Sequence, residues 1–255
     1  YKAKDEGRDN YQFYTPEMKE LAQKRKEDEA ALRSAIENEE LRLYYQRRVD
    51  VARDAVSGYE AEVKWQHPQK GLIDLSEFKQ LAVEMGAYVK IEKWLIKAAI
   101  QEAGLWRKKG LADKKVILNL SMKMVLDKDF TTDIQKMMDE SGCKAEVLEI
   151  GVGESELMTN QEHAISQLQE LSSIALKLTI NDFGITTTSL TYLSRLAVDN
   201  LKIARGLIAD ISENTVVVKS IGALAESMGL TLIADGVKTD TEKEFLNAYG
   251  YALME

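Results

Sequence analysis

The sequence has very little cysteine and histidine, and it has no long apolar run. Among 255 residues there is one cysteine, Cys143, which excludes an intrachain disulfide and suits a reducing compartment. Two histidines, His67 and His163, are too few for a zinc site. No stretch reaches the roughly 18 apolar residues that span a bilayer, and no signal peptide pattern is visible, so we expect a cytoplasmic protein.

The chain also lacks an excess of positive charge. Its 34 Lys and Arg residues face 42 Asp and Glu residues, which gives a net charge of -8 at pH 7. The basic residues are interleaved with acidic ones, whereas a nucleic-acid surface needs a basic stripe. We therefore expect no nucleic-acid partner.

What the sequence does contain is an alternation of strand-like and helix-like segments. Helix patterns lie near 76–109 (two helices), 129–142, 160–172, 189–197, 213–229 and 239–249. The strand candidates between them are 41–51, 57–65, 115–120, 147–152, 175–181, 200–204, 230–235 and 251–254. Eight strands with helical crossovers predict an α/β fold, a closed (β/α)8 barrel. The first two strands are joined too closely for a parallel crossover, so the first strand should run antiparallel.

The N-terminal part reads differently. Residues 1–15 are short and polar, and since the chain opens at Tyr1 we take them as the end of a preceding domain. Residues 16–39 read as one helix, for which Thr15 is a suitable cap and Pro16 a suitable first residue. Its middle, QKRKEDE, is wholly polar. This pattern favours a solvated linker helix over a two-chain coiled coil.

Polar residues stand at the ends of several predicted strands, where a barrel carries its chemistry. A single one is explained by a solvated strand end, but six strands that end this way at one rim indicate a site. The residues are Glu60, Asn119, Glu154, Asn181, Asp182, Lys202 and Asp235.

The motifs at these positions resemble the EAL domain, a bacterial phosphodiesterase and receptor module for cyclic di-GMP, over residues 40–255. The motifs are YQRRVD (45–50), YEAEVKWQHPQKGLI (59–73), NLS (119–121), ESELM (154–158), NDFG (181–184), LKIAR (201–205) and ADGVKT (234–239). Residues 1–15 resemble the end of a GGDEF domain, which frequently precedes an EAL domain.

The resemblance implies hydrolysis by a water held between two divalent cations, usually magnesium or manganese. It implies that Glu60, Asn119, Asp182 and the shortened Asp235 are the metal ligands. It also implies that Lys202 orients the water and that Glu154 anchors the loop after NDFG, although a simple helix cap by Thr188 or Ser189 explains that loop equally well. Four positions depart from the family pattern, namely Gly151, Asn181, Ala204 and Lys238.

For the nucleotide, the resemblance implies contacts from Gln46, Arg47, Glu62 and Lys64. Glu62 places a negative charge beside an anionic ligand, and Lys64 replaces an arginine that would clamp phosphate with two hydrogen bonds. Arg47 and Arg48 could recover phosphate attraction if they face inward. We expect Glu62 to form an ion pair with Lys64 or Lys202, because a buried charge needs a partner.

The resemblance implies carboxylates at positions 151 and 181, where this chain has Gly151 and Asn181. Without them, the charge of about +4 on two divalent cations would be poorly compensated. We therefore expect a degenerate module that is not an enzyme, holds no cofactor and acts by protein interaction. The expected partners are other protein domains, including an upstream GGDEF-like domain, with a homodimer as a further option. Two alternatives stay open: a receptor that binds cyclic di-GMP without hydrolysis, and a slow phosphodiesterase that uses Mg²⁺ or Mn²⁺.

Overall fold

The computed structural model describes residues 16–111 and 113–254. These residues form two compact units. Of the described residues, one unit contains 16–42 and 64–88, and the other contains 43–63 and those from 89 onward. The predicted GGDEF-like tail, residues 1–15, lies outside the described residues.

The smaller unit contains two helices and a β-hairpin. Helix α1 spans Pro16–Glu37 and is followed by strands β1 (Leu41–Asp50), β2 (Ala55–His67) and β3 (Gly71–Asp74) and by helix α2 (Leu75–Glu84). The last residues of β2 pair with β3 in antiparallel register, from Lys64 with Asp74 to His67 with Gly71. Gly71 has a φ of 77°, which a glycine adopts without strain. Strand β3 was not predicted from the sequence.

Helix α1 has the polar surface that its sequence predicts. Arg25 binds Glu29 at 3.0 Å and Glu84 at 2.7 Å, and its own side chain remains 57% exposed. Leu32 and Ala35 are fully buried. Since the apolar contacts lie near the C-terminal end of the helix, that end is anchored by packing.

The larger unit is a closed barrel of eight strands. The remaining strands are β4 (Lys115–Asn119), β5 (Leu148–Gly153), β6 (Lys177–Phe183), β7 (Asn200–Ile203), β8 (Thr231–Ala234) and β9 (Tyr251–Met254). The ring follows the order β1, β9, β8, β7, β6, β5, β4, β2 and closes by pairing of β1 with β2. Strand β1 is antiparallel to β9, while the pairs from β2 to β9 are parallel. Both the barrel and its antiparallel first strand are confirmed.

Helices connect the parallel strands. They are α3 (Tyr88–Lys108), α4 (Met122–Val125), α5 (Phe130–Ser141), α6 (Glu154–Leu157), α7 (Gln161–Ser173), α8 (Leu190–Leu193), α9 (Arg205–Ala209), α10 (Ile211–Met228) and α11 (Asp240–Ala248). Within the described part of the chain, none of the helices has both the length and the apolar character that a membrane crossing needs.

Strand alternation decides which residues line the barrel interior. On β5, Leu148, Ile150 and Val152 are at most 1% exposed and belong to the apolar core. The intervening residues of the parallel strands share the other face, because Asn119 pairs with Gly151 and Gly151 pairs with Thr179. The carboxyl ends of these strands form one rim, which we call the mouth.

Strand β6 contains a bulge at the mouth. Ile180 pairs with Leu201 on β7, but Phe183 pairs with Ile203, so three steps on β6 match two on β7. The intervening Asp182 has a φ of 55°, in the left-handed region where Asn and Asp are the commonest residues after glycine. The bulge adds one residue to the strand at the point where the predicted site lies.

Candidate functional site

Four side chains from four strands form one hydrogen-bonded row at the mouth. Lys202 Nζ on β7 lies 2.7 Å from Glu60 Oε2 on β2. Asn119 Nδ2 on β4 donates to Glu60 Oε1 at 2.7 Å, and Asn181 Nδ2 on β6 donates to Asn119 Oδ1 at 2.7 Å. We call Lys202, Glu60, Asn119 and Asn181 the mouth row. The structure thus brings together four residues that the sequence predicted only to share a rim.

Gly151 lies directly beneath the two amides of this row. A Cβ atom added at Gly151 would be closer to Asn181 Nδ2 and Asn119 Oδ1 than non-bonded atoms approach. The amide groups therefore pack on the bare backbone of β5. A side chain at position 151 requires that both asparagines move, so Gly151 and the amide pair are one structural arrangement.

The remaining predicted positions at the rim have separate roles. Asp182 is exposed, and Asp235 is half-buried just after β8. Ala204 is fully buried, and its backbone N–H donates to the Phe183 carbonyl at 3.1 Å. Lys238 is exposed, and its backbone N–H donates at 2.8 Å to Glu242, which also closes the cap of α11. Neither Ala204 nor Lys238 belongs to the mouth row.

Glu154 holds the loop that follows β6. Its carboxylate, 3% exposed, accepts hydrogen bonds from the backbone N–H groups of Gly184 and Thr186 at 3.1 Å each and from Thr188 Oγ1 at 2.6 Å. Ser189 separately caps helix α8. The geometry therefore contains both arrangements that the sequence left open.

Tyr192 connects the same loop to helix α6. Its hydroxyl donates to the Leu157 carbonyl at 2.8 Å. Burial raises the pKa of the Tyr192 phenol, so the hydroxyl keeps the proton that it donates. Hydrogen bonds to both the first and the last residue of α6, Glu154 and Leu157, therefore connect the helix with the segment after β6.

A second row of polar side chains lies deeper in the barrel. Arg48 Nη1 contacts Glu149 Oε1 at 2.6 Å, and both side chains are 1% exposed. Thr179 Oγ1 donates to the same Glu149 oxygen at 2.6 Å and accepts from Asn200 Nδ2 at 2.9 Å. We call Arg48, Glu149, Thr179 and Asn200 the interior row. Arg48 does face inward, but the hypothesis that it attracts phosphate is corrected, because its guanidinium pairs with a buried carboxylate.

The predicted nucleotide contacts lie on β1 and β2. Gln46 is half-buried, Arg47 is exposed and Glu62 is half-buried. Lys64 belongs to the smaller unit, where its ammonium pairs with Asp74 at 2.7 Å. Lys202, one of the two partners proposed for Glu62, pairs with Glu60 at 2.7 Å. The ion pair of Glu62 itself stays a prediction. The role of these four residues in binding stays a prediction.

The donor chemistry at the mouth fits one hard divalent cation better than a closely spaced pair. Carboxylate and amide oxygens are the ligands that Mg²⁺ prefers. Two ions about 4 Å apart need a bridging carboxylate, but position 181 supplies a neutral amide and position 151 supplies no side chain. Within residues 16–111 and 113–254, no group of three or more His, Cys, Asp and Glu residues is placed to hold an ion.

Three carboxylates near the site were not predicted from the sequence, and two of them, Glu92 and Glu149, are buried. Glu92 on α3 is 1% exposed and binds Ser121, while Glu156 on α6 binds the N–H of Met122. Glu149 is the acid of the interior row. The signal for Glu149 was present, because it is a charged residue within the apolar run Val147–Val152. Glu92 and Glu156 lie in ordinary helix patterns and give no such signal.

Comparison with known proteins gives consistent matches over nearly the whole chain. Residues 29–255 match the EAL domain family. The chain is 33% identical over 253 residues to the bifunctional diguanylate cyclase/cyclic di-GMP phosphodiesterase MucR of Pseudomonas aeruginosa, covering 98% of this chain and 37% of MucR. It is 31% identical over 253 residues to the cyclic di-GMP phosphodiesterase PdeR of Escherichia coli, covering 98% of this chain and 38% of PdeR. The chain thus spans less than two-fifths of either relative.

A solved structure described as the PaMucR phosphodiesterase in complex with c-di-GMP has the same fold. It superimposes with a TM-score of 0.85 at 32% identity and covers 88% of this chain and 92% of the solved one. These relatives contradict the expectation that the chain is not an enzyme, since they are named as phosphodiesterases and point to enzymatic activity. That expectation rested on the two lost carboxylates at positions 151 and 181 and on the shortened Asp235, and a count of ligands does not measure turnover.

Proposed function

Because the chain belongs to the EAL domain family, we propose that it binds cyclic di-GMP at the barrel mouth and hydrolyses one of its phosphodiester bonds slowly with the help of a divalent cation. Its relative MucR is named a phosphodiesterase, and the solved PaMucR structure contains c-di-GMP. The observation that carries the proposal is the mouth row, in which a carboxylate, an ammonium group and two amides meet at one strand edge.

The mouth row supplies the polar groups that the reaction needs. Lys202 is 6% exposed, and its ammonium contributes a positive charge at the rim where an anionic phosphodiester would lie. Asn119 and Asn181 offer amide groups that hydrogen-bond phosphate oxygens or water. Hydrolysis adds water across one P–O ester bond and leaves a linear dinucleotide with a terminal phosphate.

A cation would be held by the oxygen donors of Glu60, Asn119, Asp182 and Asp235. When bound, such an ion supplies Lewis-acid polarisation of the phosphodiester and lowers the pKa of a bound water. The chain's own groups orient the donors. In the structure, Asn119 turns its Nδ2 toward Glu60 and its Oδ1 toward Asn181.

Slow turnover follows from the charge at the mouth. Within the mouth row, Glu60 contributes one negative charge and Lys202 one positive charge, while Asn119 and Asn181 are neutral. A site with so little negative charge offsets the charge of a divalent ion poorly. We therefore expect weak metal affinity and a dependence on metal concentration well into the millimolar range.

The domain arrangement belongs to the same proposal. The segment 1–15 would end an upstream GGDEF-like domain, 16–39 would form the linker helix and 40–255 the catalytic barrel. What supports an additional domain is that the relatives are longer, since the chain covers 37% of MucR and 38% of PdeR, and that MucR is also named a diguanylate cyclase. Partners would then include the upstream domain and a second copy of the chain.

The test is a cyclic di-GMP hydrolysis assay with Mn²⁺ and with Mg²⁺ over a wide concentration range. We expect formation of the linear product by the unchanged chain and its loss in Glu60→Ala. Glu146→Ala is the matched control, because Glu146 is exposed and precedes β5, at the opposite end of the strands from the mouth. Binding of cyclic di-GMP without product at saturating Mn²⁺, or equal rates for Glu60→Ala and the unchanged chain, would overturn the proposal.

A further inference from the structure

The turn that follows β4 is held by two carboxylates from other parts of the barrel. Glu92 Oε1 accepts a hydrogen bond from the Ser121 N–H at 2.5 Å, and Glu92 Oε2 accepts one from Ser121 Oγ at 2.8 Å. Glu156 Oε2 accepts from the next backbone N–H, that of Met122, at 2.6 Å. Two consecutive amides are therefore bound by side chains from α3 and α6.

The hydrogen bonds from Glu92 and Glu156 are not needed to begin helix α4. Ser121 already caps the four-residue helix α4, because its Oγ accepts from the Met124 N–H at 3.2 Å. Glu92 is 1% exposed, and burial of a carboxylate is unfavourable unless it is fully hydrogen-bonded. Short bonds to an ionised acceptor are about twice as strong as neutral ones. The turn is thus fixed by strong and specific bonds.

The fixed turn lies next to a member of the mouth row. Asn119 is the last residue of β4, two residues before Ser121. The Leu120 N–H between them donates to the Gly151 carbonyl at 2.9 Å. Asn119 itself bridges Glu60 and Asn181, and a displacement of the turn would change both of its bonds. Because the Asn119 side chain has only two rotatable bonds, it has little freedom to compensate for a displacement of its backbone.

Helix α6 connects this turn to the loop on its other side. The helix has four residues, Glu154–Leu157, and follows β5 directly. Glu154 binds the loop after β6 through the N–H groups of Gly184 and Thr186, while Glu156 binds the turn after β4. One short helix thus contacts the segments that follow Asn119 and Asn181.

We propose that Glu92 and Glu156 are positioning residues that hold Asn119 in the mouth row, and that α6 couples this position to the loop after β6. The positional part of this inference stands on the geometry alone. Its effect on turnover rests on the proposed phosphodiesterase function. A purely structural role would instead make both glutamates general stabilisers of the barrel, with no specific effect on Asn119.

The experiment compares Glu156→Ala, Glu156→Gln and the control Glu146→Ala in the full chain. Glu156 is half-buried, so its substitution is compatible with folding, which circular dichroism verifies. The first readout is the side-chain amide signal of Asn119 in a nitrogen-correlated NMR spectrum, assigned by its loss in Asn119→Asp. The second is hydrogen exchange of the Met122 amide.

We expect Glu156→Ala to shift the Asn119 signal and to accelerate Met122 exchange by about tenfold or more, the effect of losing one bond to a charged acceptor. Glu156→Gln keeps an acceptor oxygen and should retain most of the protection. In the hydrolysis assay, Glu156→Ala should lower kcat by about tenfold with KM for cyclic di-GMP nearly unchanged. Glu92→Gln should move the Asn119 signal in the same direction.

The outcomes separate this inference from the proposed function. If Glu156→Ala leaves the Asn119 signal and the Met122 exchange as they are in Glu146→Ala, the inference is wrong, whatever the enzyme does. If the unchanged chain has no turnover while the NMR readouts change as expected, the proposed function fails and the positioning role stands. Equal losses of kcat in Glu156→Ala and Glu156→Gln, with unmoved spectra, would also contradict it.

Discussion

The two polar rows of the barrel use similar side chains in different surroundings. Each contains one ion pair and two neutral side chains, and each crosses four strands. In the interior row, the Arg48 and Glu149 side chains are each 1% exposed, whereas in the mouth row the Lys202 and Glu60 side chains are 8% and 11% exposed. The charged pair at the mouth is therefore more accessible to water or a ligand than the charged pair of the interior row.

A charge inside the barrel is therefore not by itself evidence of a site. A fully buried pair cannot exchange its partner for a ligand without a large desolvation change. A pair at the rim can, because solvent replaces a lost partner. The interior row accordingly holds β1, β5, β6 and β7 in register, and the mouth row is the one to which we assign the proposed reaction.

The largest expected effect comes from breaking the interior pair. Arg48→Met leaves the Glu149 carboxylate buried without its cation, which should lower the free energy of unfolding by about 3–5 kcal/mol. Urea denaturation followed by circular dichroism measures this loss. Lys202→Met is the matched change at the mouth and should lower it by less than half as much.

A double variant sharpens the same test. Arg48→Met combined with Glu149→Met removes both charges, so most of the loss should be recovered. If the single and double variants are equally unstable, the ion pair does not explain the effect. Equal losses for Arg48→Met and Lys202→Met would remove the distinction between the two rows.

An intermediate effect is expected from crowding the mouth row. Gly151→Ala places a Cβ atom against the amides of Asn119 and Asn181, and such overpacking typically lowers the free energy of unfolding by about 1–3 kcal/mol. Gly206→Ala is the control, because a Cβ atom there meets nothing within 4 Å. Thermal or urea unfolding of both variants measures the difference. Equal stability would show that the amides move aside freely.

The smallest change in the free energy of unfolding is expected for an ion pair on the surface. Arg195 Nη1 lies 2.8 Å from Glu162 Oε1, and the hydrogen bond and charge of Arg195 hold the pKa of the Glu162 carboxyl below its usual range. A lowered folded-state pKa gives stability that is present above the unfolded pKa and is lost as pH falls through the folded value.

Carboxyl NMR titration should show Glu162 titrating below an unpaired exposed glutamate, and Arg195→Met should return it to the ordinary range. The accompanying change in stability should be hard to resolve, because both side chains are largely exposed to solvent. A titration curve that Arg195→Met leaves unchanged would assign the shift to another group.

Much of the fold could be predicted from the sequence because buried parallel strands and amphipathic helices leave strong periodic patterns. The eight barrel strands lie within a few residues of their predicted positions. The hairpin strand β3 was missed because four residues are too few for a pattern, and α9 (Arg205–Ala209) was missed because it is a short helix directly before α10.

The site was predictable in its members but not in its pairings. Strand ends identify Glu60, Asn119, Asn181 and Lys202, since all lie at one rim. Which of them touch depends on the stagger between strands, which local sequence does not encode. For this reason the sequence did not predict that Lys202 would pair with Glu60, or that an inward-facing Arg48 would pair with Glu149.

The bulge at Asp182 has a consequence for how a rim can acquire polar groups. In a regular strand, Phe183 would fall on the same side as Asn181 and would point its ring toward the solvent-filled opening. The extra residue shifts the alternation by one position, so Phe183 lies on the same face as Ile180 and is only 6% exposed. The left-handed backbone at Asp182 thus allows two adjacent polar residues near the end of the strand, while the apolar outer face of the barrel remains continuous.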